Sequence, residues 1–242
     1  MSIDDNSDLH QRYLQDQTSH YSQRLAEFGS IPQADSWTSK EMSIFYYKKA
    51  TMLFQDYIHY KVFSSENKLK LLDIGSGNGF YAEYLQQSNL LDSIDYTGVE
   101  INPQSCEAAQ SKNLPVNFIN DDFAQMKFGF KPFHFITIIG TFSIFDSLSV
   151  PETQSYILNN VQKAFNCCDY GLTLLISKFV LDEGSIQKFF NSLTQISSNI
   201  NFDTSLFGNY IAVYLYQNKH LTEFYNLSKN NMALLANVQV QG

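Results

Sequence analysis

The sequence predicts a doubly wound α/β sheet preceded by a helical cover, and three observations lead there. From residue 69 onward, short apolar segments alternate with stretches of helical spacing, the pattern of parallel βαβ units. The first apolar segment runs straight into a glycine-rich turn, Gly75-Ser-Gly77-Asn-Gly79, that opens a helix. The chain has 242 residues, the size of one large domain that can bury a core without staples.

Residues 1–36 are polar with scattered aromatics and end in a turn-like Gly29-Ser-Ile-Pro32; they read as a mobile or covering extension. Residues 38–61 open on Thr38-Ser-Lys-Glu41, a capping pattern, and continue with helical apolar spacing. Residues 69–74 are a buried strand and 80–87 a helix. A strand at 95–100 precedes a helix at 103–112, with Pro103 at the first helical position where its missing N–H costs nothing. Short strands follow at 116–119 and 135–139, the latter apolar on both faces, then a helix at 152–165, a strand at 172–177 and a helix at 185–193. The segment at 210–216 alternates, as an antiparallel edge strand would. This gives an N-terminal extension and cover over 1–62, a core over 63–220 and a tail over 221–242 that packs on or extends from it. Ligands of such sheets bind beyond the carboxyl ends of the strands at the switch point.

Lys and Arg number 16 against 24 Asp and Glu, a formal charge of −8, and the only arginines are Arg12 and Arg24. Nucleic-acid affinity is largely phosphate neutralisation, so this chain is a poor candidate for gripping it. Cys106, Cys167 and Cys168 are odd in number and lack C-x-x-C spacing, which argues against a disulfide framework and a metal site and favours a reducing cytoplasm. The adjacent pair reads as a turn with one buried cysteine. The acidic, polar first residues are no signal peptide, and the longest apolar stretch, 133–145, is too short and interrupted to span a bilayer.

The glycine turn discriminates between ligands. A dinucleotide site needs G-x-G-x-x-G, but residue 80 is Phe and the third glycine is Gly79. Asp73 stands two residues before the first glycine. A carboxylate there suits a cationic amino or sulfonium group and repels a pyrophosphate, which favours S-adenosylmethionine over nicotinamide or flavin. Glu100 ends the second strand, where an acid can accept both hydroxyls of a ribose; NAD sites share this feature. Asp121 and Asp122 follow the third strand, where one carboxylate can accept from an adenine amine. Each acid alone could merely cap a helix or solvate a turn; three in order at successive strand ends, with the glycine loop, are hard to explain that way.

These residues, Leu71-Leu-Asp73-Ile-Gly75-Ser-Gly77-Asn-Gly79, Tyr96-Thr-Gly-Val-Glu100 and Phe118-Ile-Asn-Asp-Asp122-Phe123, resemble the class I S-adenosylmethionine-dependent methyltransferases over about residues 68–178. A weaker likeness to a poorly characterised bacterial branch runs through Arg24-Leu-Ala-Glu-Phe-Gly29, Trp37, Ser39-Lys-Glu41, Ile139-Gly-Thr-Phe142 and the last strand. The resemblance implies a Rossmann-like, doubly wound seven-stranded sheet with its last strand antiparallel. It implies Gly75, Ser76, Gly77 and Gly79 under the methionine part, Asp73 toward its amino group, Glu100 on the ribose and Ile101 on the adenine face. Asp122 and Phe123 would meet the adenine edge, and Gly140, Thr141 and Phe142 would lie near the transferable methyl. The family usually has Asp near the start of the fourth strand; here His134 stands there, at the end away from the methyl.

Sulfonium is already an excellent leaving group, so the protein must align the reactants and exclude water, and needs a base only for an acceptor that keeps its proton. No catalytic triad is visible. His10, His20, His59 and His220 read as surface or capping residues, and Asp146, after the fourth strand, is the best-placed base candidate. No Asn- or Asp-Pro-Pro-Tyr follows that strand, which disfavours amide or base nitrogens as acceptors. Trp37, Tyr46, Tyr47, Phe145, Phe207 and Tyr210 fall in segments expected over the strand ends and suggest an apolar small-molecule pocket, although ordinary packing of the cover accounts for each equally well. The expectation is a cytoplasmic methyltransferase acting on a small molecule. The alternative is a non-catalytic cofactor-binding partner or regulatory subunit.

Overall fold

The computed structural model describes residues 3–181, 184, 186–204 and 210–219. Seven strands form one sheet in the order β3-β2-β1-β4-β5-β7-β6. These are β1 (Leu69–Ile74), β2 (Ile94–Glu100), β3 (Asn117–Asn120), β4 (Phe133–Ile139), β5 (Cys168–Ser177), β6 (Ile200–Asp203) and β7 (Tyr210–Tyr216). β1 to β5 are mutually parallel, and β7 is antiparallel to both of its neighbours. The chain winds outward in both directions from the β1–β4 pair, so the switch point lies there. Ile74 pairs with Val99 on one side and Ile138 on the other, which brings the ends of β1, β2 and β4 level at one edge.

Among the described residues, seven helices surround the sheet: α1 (Ile3–Phe28), α2 (Lys40–Thr51), α3 (Gln55–His59), α4 (Phe80–Gln87), α5 (Pro103–Gln110), α6 (Val150–Asn166) and α7 (Ile186–Ile196). One apolar core packs α6 and α7 on the sheet through Ile157, Val161, Phe189 and Leu193; the other packs α2, α3 and α4 through Tyr46, Phe54, Tyr57 and Leu85. Burial of such continuous Leu, Ile and Val runs on both faces is the main stabilising term, about 25 cal/mol per Å² of apolar surface removed from water.

Of the two readings of the leader, mobile or covering, the ordered helix α1 fits the second, and three other expectations are corrected. α1 buries Leu9, His10, Tyr13 and Gln17 along one face and ends at Gly29, whose N–H donates to Leu25 O at 2.9 Å. The 38–61 helix is two helices, with Ser39 Oγ capping the first at Met42 N. β7 is internal; the edge is β6, a four-residue strand the sequence did not reveal. Cys167 and Cys168 are both buried free thiols, the second opening β5. Phe207, His220 and the tail at 221–242 lie outside the described residues. Among the described residues no helix is long and apolar enough to cross a membrane, and no group of His, Cys, Asp and Glu is arranged to hold a metal ion.

Candidate functional site

A cavity of about 910 Å³, counting the space open at its mouth, lies beyond the level ends of β1, β2 and β4. Its floor is the glycine loop. Gly75 N and Ser76 N donate to Val99 O at 2.8 and 3.1 Å, which folds the loop back over the end of β2. Glu100 secures it further: Oε2 accepts from Gly77 N and Oε1 from Asn102 N, both at 2.8 Å. Thr141, at the end of β4, donates from Oγ1 to Ile74 O at 2.7 Å and closes the switch point. Asp73 is buried on β1; Oδ2 accepts from Tyr96 OH at 2.6 Å and Oδ1 from Thr137 Oγ1 at 2.8 Å.

The cavity lining includes eleven of the twelve residues expected to hold the cofactor: Asp73, Gly75, Ser76, Gly77, Glu100, Ile101, Asp122, Phe123, Gly140, Thr141 and Phe142. Gly79 stands off it, capping α4 against Phe118 and Ala109. Of the expected pocket aromatics, Trp37 and Tyr47 line the cavity. Tyr46 and Tyr210 stand behind them, with ring centroids 5.1 and 5.5 Å from that of Trp37. Phe145 packs on Tyr13 at 5.3 Å and does not reach the lining. Asp146 is exposed and outside the lining. His134 sits at the far end of β4, accepting from Lys70 N at 2.9 Å.

Sequence reasoning missed what α1 and the turn that follows it contribute. Tyr13, Gln17 and Tyr21 of α1 form one wall, and their four-residue spacing from Leu9 was a readable signal. His10, placed on the surface from sequence, is buried; Nε2 donates to Asp122 Oδ2 at 2.6 Å and Nδ1 lies 2.9 Å from Tyr156 OH. Arg12 ties α1 to the start of α6 through Glu152 Oε1 at 2.7 Å. Asp35, which ends a 3-10 turn over Pro32–Asp35, lies on the wall against the glycine loop. No sequence motif marks it.

The electrostatics are one-sided. The lining carries five carboxylates, Asp35, Asp73, Glu100, Asp121 and Asp122, and among its described residues no lysine, arginine or histidine. Burial pushes Asp73 up to about 7, against the hydrogen bonds from Tyr96 and Thr137, and burial likewise pushes Asp35 up to about 7. Burial also raises Glu100, against hydrogen bonds from Asn102 and Gly77. An acid whose folded pKa lies above its unfolded value binds more protons when folded, so stability rises as the pH falls through that interval. For Asp35 and Asp73 the interval runs from about 7 down to the ordinary aspartate range. Glu152, held down to about 2 by Ser149 and then Arg12, acts in the opposite sense only at lower pH. The ligand-free chain is therefore expected to melt at least about 3 °C higher at pH 5.5 than at pH 8 in a thermal scan. A flat or inverted profile would contradict the two raised acids.

The sheet order, the antiparallel seventh strand and a glycine loop beneath an acid-lined crevice define the Rossmann-like methyltransferase fold. Residues 71–162 match the family model described as a methyltransferase domain. Among solved structures, the plantazolicin methyltransferase BpumL, in complex with a pentazolic desmethylPZN analog and SAH, superposes with a TM-score of 0.56 at 14% identity, over 88% of this chain and 99% of that one. The CurJ carbon methyltransferase gives a TM-score of 0.54 at 11% identity, over 78% of this chain and 59% of that one. No curated protein matches the chain. Residues 71–162 thus resemble a methyltransferase domain in sequence, and the fold is that of the class I S-adenosylmethionine-dependent methyltransferases, a class whose cofactor is S-adenosylmethionine.

Proposed function

We propose that the chain transfers a methyl group from S-adenosylmethionine to a small-molecule acceptor, through oxygen, nitrogen or carbon. The observation that carries this reading is the wall of five carboxylates with no cationic side chain among its described residues. Such a wall attracts a sulfonium and an ammonium group and repels a diphosphate. S-adenosylmethionine supplies the methyl group on a sulfur that leaves readily. The protein's part is to bind, align and keep dry.

In this reading Glu100 accepts the ribose hydroxyls. A carboxylate has about four acceptor positions, and the two backbone donors occupy two of them. Ile101 and Phe123 hold the adenine, and Asp122, held in place by His10, accepts from its amine. The glycine loop and Asp73 enclose the methionine part. Gly140, Thr141 and Phe142 bound the space beside the methyl, with Trp37 and Tyr47 forming the wall an acceptor would meet. α1 covers the cavity through Tyr13, Gln17 and Tyr21 and excludes water from an in-line displacement. An acceptor whose nucleophile carries a free lone pair at neutral pH needs no base.

The test is a thermal-shift series followed by a transfer assay. S-adenosylmethionine and S-adenosylhomocysteine are expected to raise the melting temperature, because they bind the folded state, whereas NAD leaves it unchanged. Radiolabelled methyl is then expected to move to a member of a small-metabolite extract. Stabilisation by NAD alone would sink the cofactor assignment. Stabilisation by the methyl donor without transfer to any metabolite would sink the enzymatic one.

A further inference from the structure

Asp35 is the acid that the cofactor-loop pattern does not account for, and its surroundings are unusually determined. Its turn is tied down from three directions. Arg24 of α1 donates to Gln33 O, with Nε at 2.9 Å; His20 Nε2 lies 3.0 Å from Ser36 Oγ; and the neighbouring Ala34 is fully buried. From this fixed turn the carboxylate lies over Gly77. A methyl group on Gly77 would stand 2.8–2.9 Å from all three carboxylate atoms. Asn78 N donates to both oxygens at 3.2 and 3.3 Å, and Asn78 Nδ2 donates to Oδ1. The carboxylate thus faces the floor of the cavity where the glycine loop turns.

The acid of β1 is differently placed. Asp73 is 2% exposed, and each of its oxygens already accepts from an O–H donor inside the sheet. Asp35 accepts only from Asn78 among the described residues, is half-buried on the wall, and meets no cationic side chain there. Burial of an acid that no cation contacts is costly, in keeping with the raised proton affinity described above, with Lys112 acting on it only as the smallest influence, and a bound ammonium with three donors offsets that cost.

We propose that Asp35 receives the α-ammonium group of the cofactor's methionine part, so that the N-terminal cover, and not only the sheet, supplies a cofactor ligand. This rests on the methyltransferase reading and extends it. Asp73 then serves chiefly to brace the end of β1 against Tyr96 and Thr137. The cover and the cofactor become thermodynamically coupled: filling the methionine subsite stabilises the turn over Pro32–Asp35 and the part of α1 that holds it.

Calorimetry with three probes separates this proposal from its premise: S-adenosylhomocysteine, its deaminated analogue, and 5′-methylthioadenosine, which lacks the amino-acid end. The native chain is expected to bind the deaminated analogue about tenfold or more weaker than S-adenosylhomocysteine, the loss of one charge-assisted contact. Asp35→Asn, which keeps an acceptor oxygen for Asn78 N, is expected to erase most of that difference while binding 5′-methylthioadenosine as the native chain does. If deamination costs the native chain nothing, the proposal fails whatever the variant does. It also fails if Asp35→Asn binds S-adenosylhomocysteine unchanged or more tightly, or loses all three probes alike. If the native chain binds none of the three, the methyltransferase reading itself falls.

Discussion

Replacing Glu100 by alanine is expected to weaken S-adenosylhomocysteine binding by about a hundredfold or more and to lower the stability of the ligand-free chain by about 2–5 kcal/mol. Both effects come from one side chain with two duties. Glu100 is 7% exposed, and its oxygens accept from Gly77 N and Asn102 N at 2.8 Å each. Truncation leaves both N–H groups short of a partner, each costing about 1–3 kcal/mol where water cannot replace the acceptor. It also frees the glycine loop from the end of β2 and removes the group that would accept the ribose hydroxyls. Glu100→Gln separates the duties, because an amide keeps one acceptor oxygen but presents donors to one of the two N–H groups. It should fold less stably than the native chain, more stably than the alanine variant, and still bind poorly. Urea titration and calorimetry check the two quantities independently. Native-like binding in Glu100→Ala would remove the ribose assignment.

Much of this site was legible because its chemistry is local. β1 and α4 flank the glycine loop, and a continuous apolar run entering Asp73-Ile-Gly75-Ser-Gly77 leaves little freedom in where strand ends and helix begins; both elements match residue for residue. The buried face of α1 was only partly legible, for a physical reason. The inward stripe of α1 includes His10 and Gln17, which an apolar periodicity does not count, yet both are buried because both find partners: His10 on Asp122, and Gln17 donating to Ile144 O. Asp35 is informative only through Asn78, 43 residues further on, so no window of sequence contains the interaction. β7 was misplaced at the edge by its tyrosines. Tyr210, Tyr214 and Tyr216 share one face and look half-polar, but that face lies under α2, where Tyr214 OH donates to Lys49 O at 3.2 Å. A tyrosine buries its ring and satisfies its hydroxyl, which hydropathy alternation reads as exposure. β6 escaped notice because four residues, Ile-Asn-Phe-Asp, carry too little pattern.

Gly75→Ala is the substitution expected to do the most damage per atom added: a stability loss of about 2–4 kcal/mol and loss of measurable S-adenosylhomocysteine binding. Gly75 holds φ +72°, a left-handed conformation that costs a residue with a Cβ about 1–2 kcal/mol. The new Cβ would also stand 2.4 Å from both Thr141 Cγ2 and Oγ1 and 2.9 Å from Thr141 Cβ. Thr141 cannot simply rotate away, because its Oγ1 donates to Ile74 O at 2.7 Å, the bond that joins the end of β4 to the end of β1. Either that bond breaks or the loop lifts, and both displace the floor of the cavity at the switch point. The steric and conformational parts can be separated. Thr141→Gly removes every atom of the clash and leaves φ untouched, so Gly75→Ala measured in that background should cost only about 1–2 kcal/mol, the backbone part alone. A coupling energy near zero between positions 75 and 141 would mean that the loop relaxes freely. In that case the tight closure of β1 on β4 would not be what shapes this cavity.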